Sequence, residues 1–265
     1  MDCSYVNRII EKYSNNQLTQ NEKNACSKLS QLLHNWFNSY YIINSLYSPK
    51  LEIKQSGSKA KKTAIKGKSD IDLFLSITDS GNAETLENYY NSAFKYLKNY
   101  GLNVRKQNVS IGLKYNGLDI DIVPAKKVNT TSYERYYDHY LWSNKRNERT
   151  LTNIQKHIDM VNNSGLQKEI MLIKIWRENH NLDFPSIYIE QLCINELSRN
   201  NLYNLADNFI HMLNYIKDNI ENKSIVDPSN CNNIISDLLT KQEKKDIASQ
   251  ARESLSKEYW KDILW

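Results

Sequence analysis

The segment Asp70-Ile71-Asp72-Leu73-Phe74-Leu75-Ser76-Ile77 constrains the fold of this chain more than any other. It is a short run rich in β-branched and aromatic residues, which suits a central strand better than a helix. Side chains alternate across a strand, so Asp70 and Asp72 share one face while Ile71, Leu73 and Leu75 share the other. The apolar face demands a packed layer, and the opposite face carries two carboxylates a few ångströms apart.

A second acidic strand follows. Val109 to Tyr115 and Leu118 to Val123 flank Asn116-Gly117, whose tolerance of positive φ predicts a type I′ hairpin. In its second arm Asp119 and Asp121 face one way and Ile120 and Ile122 the other, and Pro124 is expected to end the strand. Asp70, Asp72 and Asp121 would together offer hard oxygen donors of the kind that hold two Mg²⁺ ions against a triphosphate, with Mn²⁺ the alternative ion. Taken alone, an Asp-x-Asp is more often the solvent face of an amphipathic strand.

The surroundings shift that balance. Thr19-Gln20-Asn21-Glu22 forms a capping box ahead of Ala25, Leu29, Leu32, Leu33, Trp36 and Phe37, which predicts a helix from Thr19 to the mid-forties. A short strand at Leu51 to Lys54 leads into a turn at Gln55-Ser56-Gly57-Ser58 and then a short helix. There Gly57 lets backbone approach a ligand, and the Ser58 hydroxyl can donate to a phosphoryl oxygen. Residues from Ala83 to Tyr100 read as a helix stopped by Gly101. From about Asn147 onward the pattern reads as helices only: Leu151 to Val161, Leu166 to Asn179, Pro185 to Ser198, Leu202 to Asn219 and Lys241 to Leu264.

The order of features resembles the polymerase β-like nucleotidyltransferase superfamily, carried by Gly57-Ser58, Thr63, Gly67, Asp70-Ile71-Asp72 and Leu118-Asp119-Ile120-Asp121. Within it the chain is most similar to bacterial cyclic-oligonucleotide synthases, oligoadenylate synthetases and archaeal-type CCA-adding enzymes. The likeness continues at Arg149-Thr150-Leu151, Leu172-Ile173-Lys174-Ile175-Trp176, Pro185-Ser186, Glu190-Gln191-Leu192 and Val226-Asp227-Pro228. It implies an α+β fold with a nucleotidyltransferase core over residues 1–146 built on a mixed sheet with helices. An all-helical lobe over 147–265 would follow, with the active site in the cleft between. It also implies that Lys174 contacts the triphosphate and that Thr150 lies near the base or ribose. Two departures stand out: Lys62 occupies a position where the family usually has Gly, and Thr150-Leu151-Thr152-Asn153 lacks the His of CCA-adding relatives.

The resemblance implies a template-independent transferase that uses nucleoside triphosphates and releases pyrophosphate. The expected product is a linear or cyclic oligonucleotide signal of the antiphage type. Addition to an RNA 3′ end such as that of tRNA is the alternative, and an inactive nucleotide-binding module is an alternative of another class. A chain ending at Trp265 is expected to lack room for the tRNA-gripping domains of the CCA-adding relatives. A net charge of +5 and a pI of about 8.8 favour polyanionic partners only mildly. Mean hydropathy of −0.67, no long apolar run and no leader pattern at Met1-Asp2-Cys3-Ser4-Tyr5 predict a cytoplasmic protein without membrane association. The four cysteines are too scattered for a zinc site, and the five histidines show no ligand spacing. Lys59, Lys61, Lys62, Lys66 and Lys68 read as phosphate steering or as a solvated loop, and Trp142 as a packing residue or a base-stacking one. Oligomeric state leaves no mark in the sequence.

Overall fold

The computed structural model describes residues 3–41, 49–79, 84–200 and 204–264. In chain order the elements begin α1 (Cys3–Tyr13), α2 (Gln20–Tyr41), β1 (Lys50–Ser56), α3 (Gly57–Ala60), β2 (Ile71–Thr78), α4 (Leu86–Asn99), β3 (Val104–Lys106), β4 (Ile111–Tyr115) and β5 (Leu118–Lys127). They continue with β6 (His139–Ser143), β7 (Glu148–Thr152), α5 (Ile154–Ser164), α6 (Gln167–Asn179), α7 (Ser186–Asn200), α8 (Leu205–Asn219), β8 (Val226–Asp227), β9 (Asn230–Ile234) and α9 (Lys241–Leu255). The chain divides into two compact units. One comprises residues 16–60 and 68–158, and the other 1–15, 61–67 and 159–265.

The first unit is built on a seven-stranded mixed sheet in the order β1-β2-β5-β4-β3, extended by β6 on β5 and β7 on β6. β2 and β5 are parallel and every other pair is antiparallel. Ile71, Leu73, Leu75, Ile77, Ile120 and Ile122 form one face and share a core with Leu33, Trp36, Phe37, Tyr89, Tyr90 and Leu97 of α2 and α4. The expected capping box opens α2: Thr19 N–H donates to Glu22 Oε2 at 2.7 Å, and Glu22 N–H donates to Thr19 Oγ1 at 3.3 Å. Asn116 and Gly117 take φ of +50° and +76° at the β4–β5 hairpin.

Several sequence expectations need correction. β5 does not stop at Pro124 but runs through it to Lys127. β4 pairs only as far as Ile122 and β6 begins at Ala125, so the missing proline N–H falls where that flank has no partner. β1 extends through Ser56, which removes the turn expected at Gln55-Ser56. Thr150 and Leu151 lie in β7 rather than at a helix start, and β8 and β9 interrupt the helical stretch. The starts expected at Ala83 and Leu202, the helix end in the mid-forties and Trp265 lie outside the described residues.

The second unit is helical apart from the β8–β9 hairpin. Every residue of α6 from Ile170 to Trp176 is buried, which makes it the central helix, packed with Phe184, Tyr188, Phe209, Met212 and Leu213. Trp176 Nε1 donates to Ser254 Oγ on α9 at 2.9 Å. The segment 61–67 belongs to this unit: Asn15 N–H donates to the Ala64 carbonyl and Lys66 N–H to the Tyr13 carbonyl. No described helix is long and apolar enough to cross a membrane.

Candidate active site

The parallel register of β2 and β5 sets Asp72 directly beside Asp121, on the sheet face opposite the α2/α4 core. Asp70 precedes β2 by one residue, has the same alternation parity as Asp72 and is exposed. Gly57 and Ser58 open α3 immediately after β1, and Ser56 pairs with Asp72 in the antiparallel register. Gly57 has φ of +63°, and a Cβ placed there would lie 1.7 Å from Asp72 Oδ2. Only glycine permits the carboxylate to occupy this place.

Asp121 is half-buried, and that burial pushes its carboxyl above the usual carboxylate range, against the lowering effects of Ser110, Arg105 and Gln107. The Ser110 hydroxyl donates to Asp121 Oδ2 at 3.3 Å and also to Gln107 Oε1. Gly112 sits opposite Asp121 on β4, and a Cβ there would meet Gln107 at 2.7 Å and Arg105 at 2.9 Å, so these side chains cross the strand over bare backbone. Sequence reasoning missed Ser110, Gln107 and Arg105. The signal available was Gly112 itself, a glycine inside a strand, which marks a close approach.

These features fit a divalent cation. A paired oxygen donor set is present, a glycine cradle keeps Asp72 in place, and Asp121 carries a desolvation cost that a cation would offset. In the present side-chain arrangement no three of the described His, Cys, Asp and Glu residues converge to metal-holding distance. The fit therefore rests on the Asp72–Asp121 pair, with Asp70 nearby in sequence outside the strand.

Thr150 lies on the same sheet face as Asp72 and Asp121, because Ser76, Ala125, Leu141 and Thr150 stand side by side across β2, β5, β6 and β7. Strand spacing puts Thr150 about 15 Å from Asp121. Arg149 and Trp142 point to the other face. Lys174, in the second unit, is 2% exposed; its ammonium donates to Thr63 Oγ1 at 2.9 Å and to Glu190 Oε1 at 2.8 Å. Lys61 binds the other oxygen of Glu190 at 2.6 Å. Burial alone would raise the Glu190 carboxyl, but the two ammonium groups outweigh it and bring it down to about 2, while burial draws Lys174 below the ordinary lysine range.

The lysine run does not form a single steering patch. Lys59 is 3% exposed and paired with Glu22 at 3.1 Å, whereas Lys62, Lys66 and Lys68 are exposed. Lys62 adopts φ of +58°.

No family model and no curated protein matches the sequence. Solved structures do match in fold. The chain is 20% identical to CdnC of E. coli MS115-1, solved with ATP, over 96% of this chain and 90% of that one, with a TM-score of 0.72. It is 13% identical to the CdnE cyclic dinucleotide synthase of Elizabethkingia meningoseptica, solved with GTP and Apcpp, over 97% and 100%, with a TM-score of 0.69. It is 12% identical to the Bradyrhizobium diazoefficiens CD-NTase CdnG, solved with GTP, over 94% and 89%, with a TM-score of 0.70. The chain has the α+β fold of these bacterial nucleotidyltransferases.

Proposed function

We propose that this protein is a template-independent nucleotidyltransferase that joins nucleoside triphosphates into a linear or cyclic oligonucleotide and releases pyrophosphate. The reading rests on Asp72 standing beside Asp121 in the β2–β5 register, with the side-chain-free Gly57 against the Asp72 carboxylate. Asp70, Asp72 and Asp121 would hold the divalent ions, Mg²⁺ in the first instance, which when bound neutralise phosphate charge and make the attacking hydroxyl more acidic.

The chain's own residues do the positioning. Gly57 allows the backbone of the β1–α3 junction to approach the phosphates, and Ser58 donates to a phosphoryl oxygen. Ser110 fixes one oxygen of Asp121, which orients the other. Thr150 shares the acidic face and is assigned to base or ribose. Among the described residues Lys61 and Lys174 share the Glu190 carboxylate as their ion-pair partner. The acceptor hydroxyl oxygen then bonds to the α-phosphorus in line as the bond to the pyrophosphate oxygen breaks. Catalysis of this kind is mainly alignment and charge neutralisation.

Solved relatives of the same fold are described as a cyclic dinucleotide synthase and a CD-NTase, which favours another nucleotide as acceptor over an RNA end. The test is incubation with each labelled triphosphate, with and without tRNA, followed by separation of products. Short oligonucleotides formed without tRNA are expected; label transferred to the tRNA 3′ end would promote the RNA-tailing alternative.

A further inference from the structure

On the sheet face opposite Asp72 and Asp121, at the far end of β2, lies a cavity of about 710 Å³. It is lined by Glu84 and the start of α4 (Thr85, Leu86, Glu87), by Lys126 to Asn129 after the central part of β5, and by Tyr140, Trp142 and Arg149 of β6 and β7. The Glu84 carboxylate accepts from Thr85 N–H and Asn88 Nδ2, and that of Glu87 from Asn91 Nδ2, so both are engaged with α4 itself. The strand rise puts it about 20 Å along the sheet from Asp72. Its size lies within the range of small-molecule sites.

Strand pairing builds its recognition wall. Lys126 pairs with Tyr140, Tyr140 with Leu151, and Trp142 with Arg149, so the aromatic rings and the cations point to the same face. Arg149 stacks over Tyr140 at 4.7 Å from the ring centroid, whereas Lys127, one residue beyond Lys126, has the strand parity of Asp121 and sits over Tyr136 at 3.6 Å. Lys126 is neutralised by the buried Asp79 carboxylate at 2.9 Å. Among the described residues, Arg149 has no carboxylate within ion-pair distance. A stacked guanidinium keeps its edge donors free, and that edge matches a phosphate or carboxylate. The indole of Trp142 beside it offers a flat apolar surface for a ring.

From this geometry we infer a second, non-catalytic binding site for an anionic ligand with one planar ring, of nucleoside-monophosphate size. The ring stacks on Trp142, and the anionic group meets Arg149. The inference does not depend on the catalytic reading, because it uses the opposite face and none of the acidic residues assigned to metal.

The probe is AMP, titrated calorimetrically to about 10 mM without divalent metal, a range that reaches millimolar dissociation constants. Wild type, Trp142→Ala, Arg149→Ala and Asp72→Ala are compared, with melting temperatures recorded for each. Binding is expected in wild type and Asp72→Ala alike, and at least tenfold weaker in Trp142→Ala and Arg149→Ala, each still showing a cooperative melting transition, the weakening a lost anchor of this kind produces. No AMP binding to wild type, equal binding by Trp142→Ala and Arg149→Ala, or loss confined to Asp72→Ala would each overturn the assignment. Pyrophosphate release from triphosphates, measured separately, judges the catalytic reading on its own.

Discussion

Replacing Gly57 with alanine tests the geometry of the acidic site with one methyl group. Two costs follow. At φ of +63° the backbone loses about 1–2 kcal/mol when a side chain is added, which for a chain of this size lowers the melting temperature by only a few degrees. The new Cβ would also lie 1.7 Å from Asp72 Oδ2, 2.3 Å from Cγ and 2.9 Å from Cβ, all well inside contact distance. Rotation about χ1 moves the first two atoms but not the Asp72 Cβ, so the carboxylate leaves its place beside Asp121 and the strand end shifts with it. Misplacing a catalytic group by about 1 Å costs roughly 100-fold in rate. Gly117→Ala is the control: its φ is +76° but nothing lies within 4 Å of an added Cβ, so it carries the backbone cost alone. The assay is pyrophosphate release at saturating triphosphate, with melting curves for both variants. Gly57→Ala is expected to remain folded and lose at least 100-fold in turnover, while Gly117→Ala keeps full turnover. Near-wild-type turnover in Gly57→Ala, or equal losses in both, would refute the cradle argument.

Lys62→Gly removes an exposed side chain from left-handed backbone and is expected to stabilise the fold by roughly 0.5–1 kcal/mol after the larger unfolded-state entropy of glycine is subtracted. A lower urea midpoint at the same m-value would contradict that. Glu190→Ala leaves Lys61 and Lys174 without their shared counter-charge inside the helical unit and should cost about 3–5 kcal/mol by denaturant unfolding. His139 accepts from Ser76 Oγ–H at 2.8 Å while its Nδ1–H donates to the Tyr137 carbonyl, and burial brings its imidazole down to about 4. The unfolded chain therefore binds the proton first as pH falls: the stabilisation is complete above about 6.5 and is lost progressively down to about 4, amounting to about 3 kcal/mol. His139→Gln should flatten the melting temperature against pH across this window, and an unaltered slope would rule out His139 as its source.

The features legible in the sequence were those in which local chemistry and tertiary demand agree. Asp70-Ile71-Asp72 alternates because β2 has one apolar face, Asn116-Gly117 supplies the φ the hairpin needs, and Thr19 with Glu22 caps α2. Hidden features lacked such agreement. β6 and β7 carry His139, Glu148 and Arg149 and are joined by a turn without glycine, so nothing in their pattern marks strands; β6 pairs with β5 across an intervening loop and β7 pairs with β6, and periodicity reveals neither pairing. Pro124 argues locally against a strand, and only the gap between β4 and β6 accommodates it. The burial of Lys59 and Lys174 left no mark in the sequence because their partners, Glu22 and Glu190, lie on other elements. The neighbours of Asp121, Ser110 and Gln107, come from the approach to β4 and announce themselves only through Gly112.

The central claim is that the Asp70, Asp72 and Asp121 carboxylates support nucleotidyl transfer. The most direct measurement is pyrophosphate released from nucleoside triphosphates in Mg²⁺ by wild type and by Asp70→Ala, Asp72→Ala and Asp121→Ala, each checked for an intact fold by circular dichroism. The account predicts release by wild type and none above background from the three variants. Wild-type rates from folded Asp72→Ala or Asp121→Ala, or no release by wild type with any triphosphate, would contradict it.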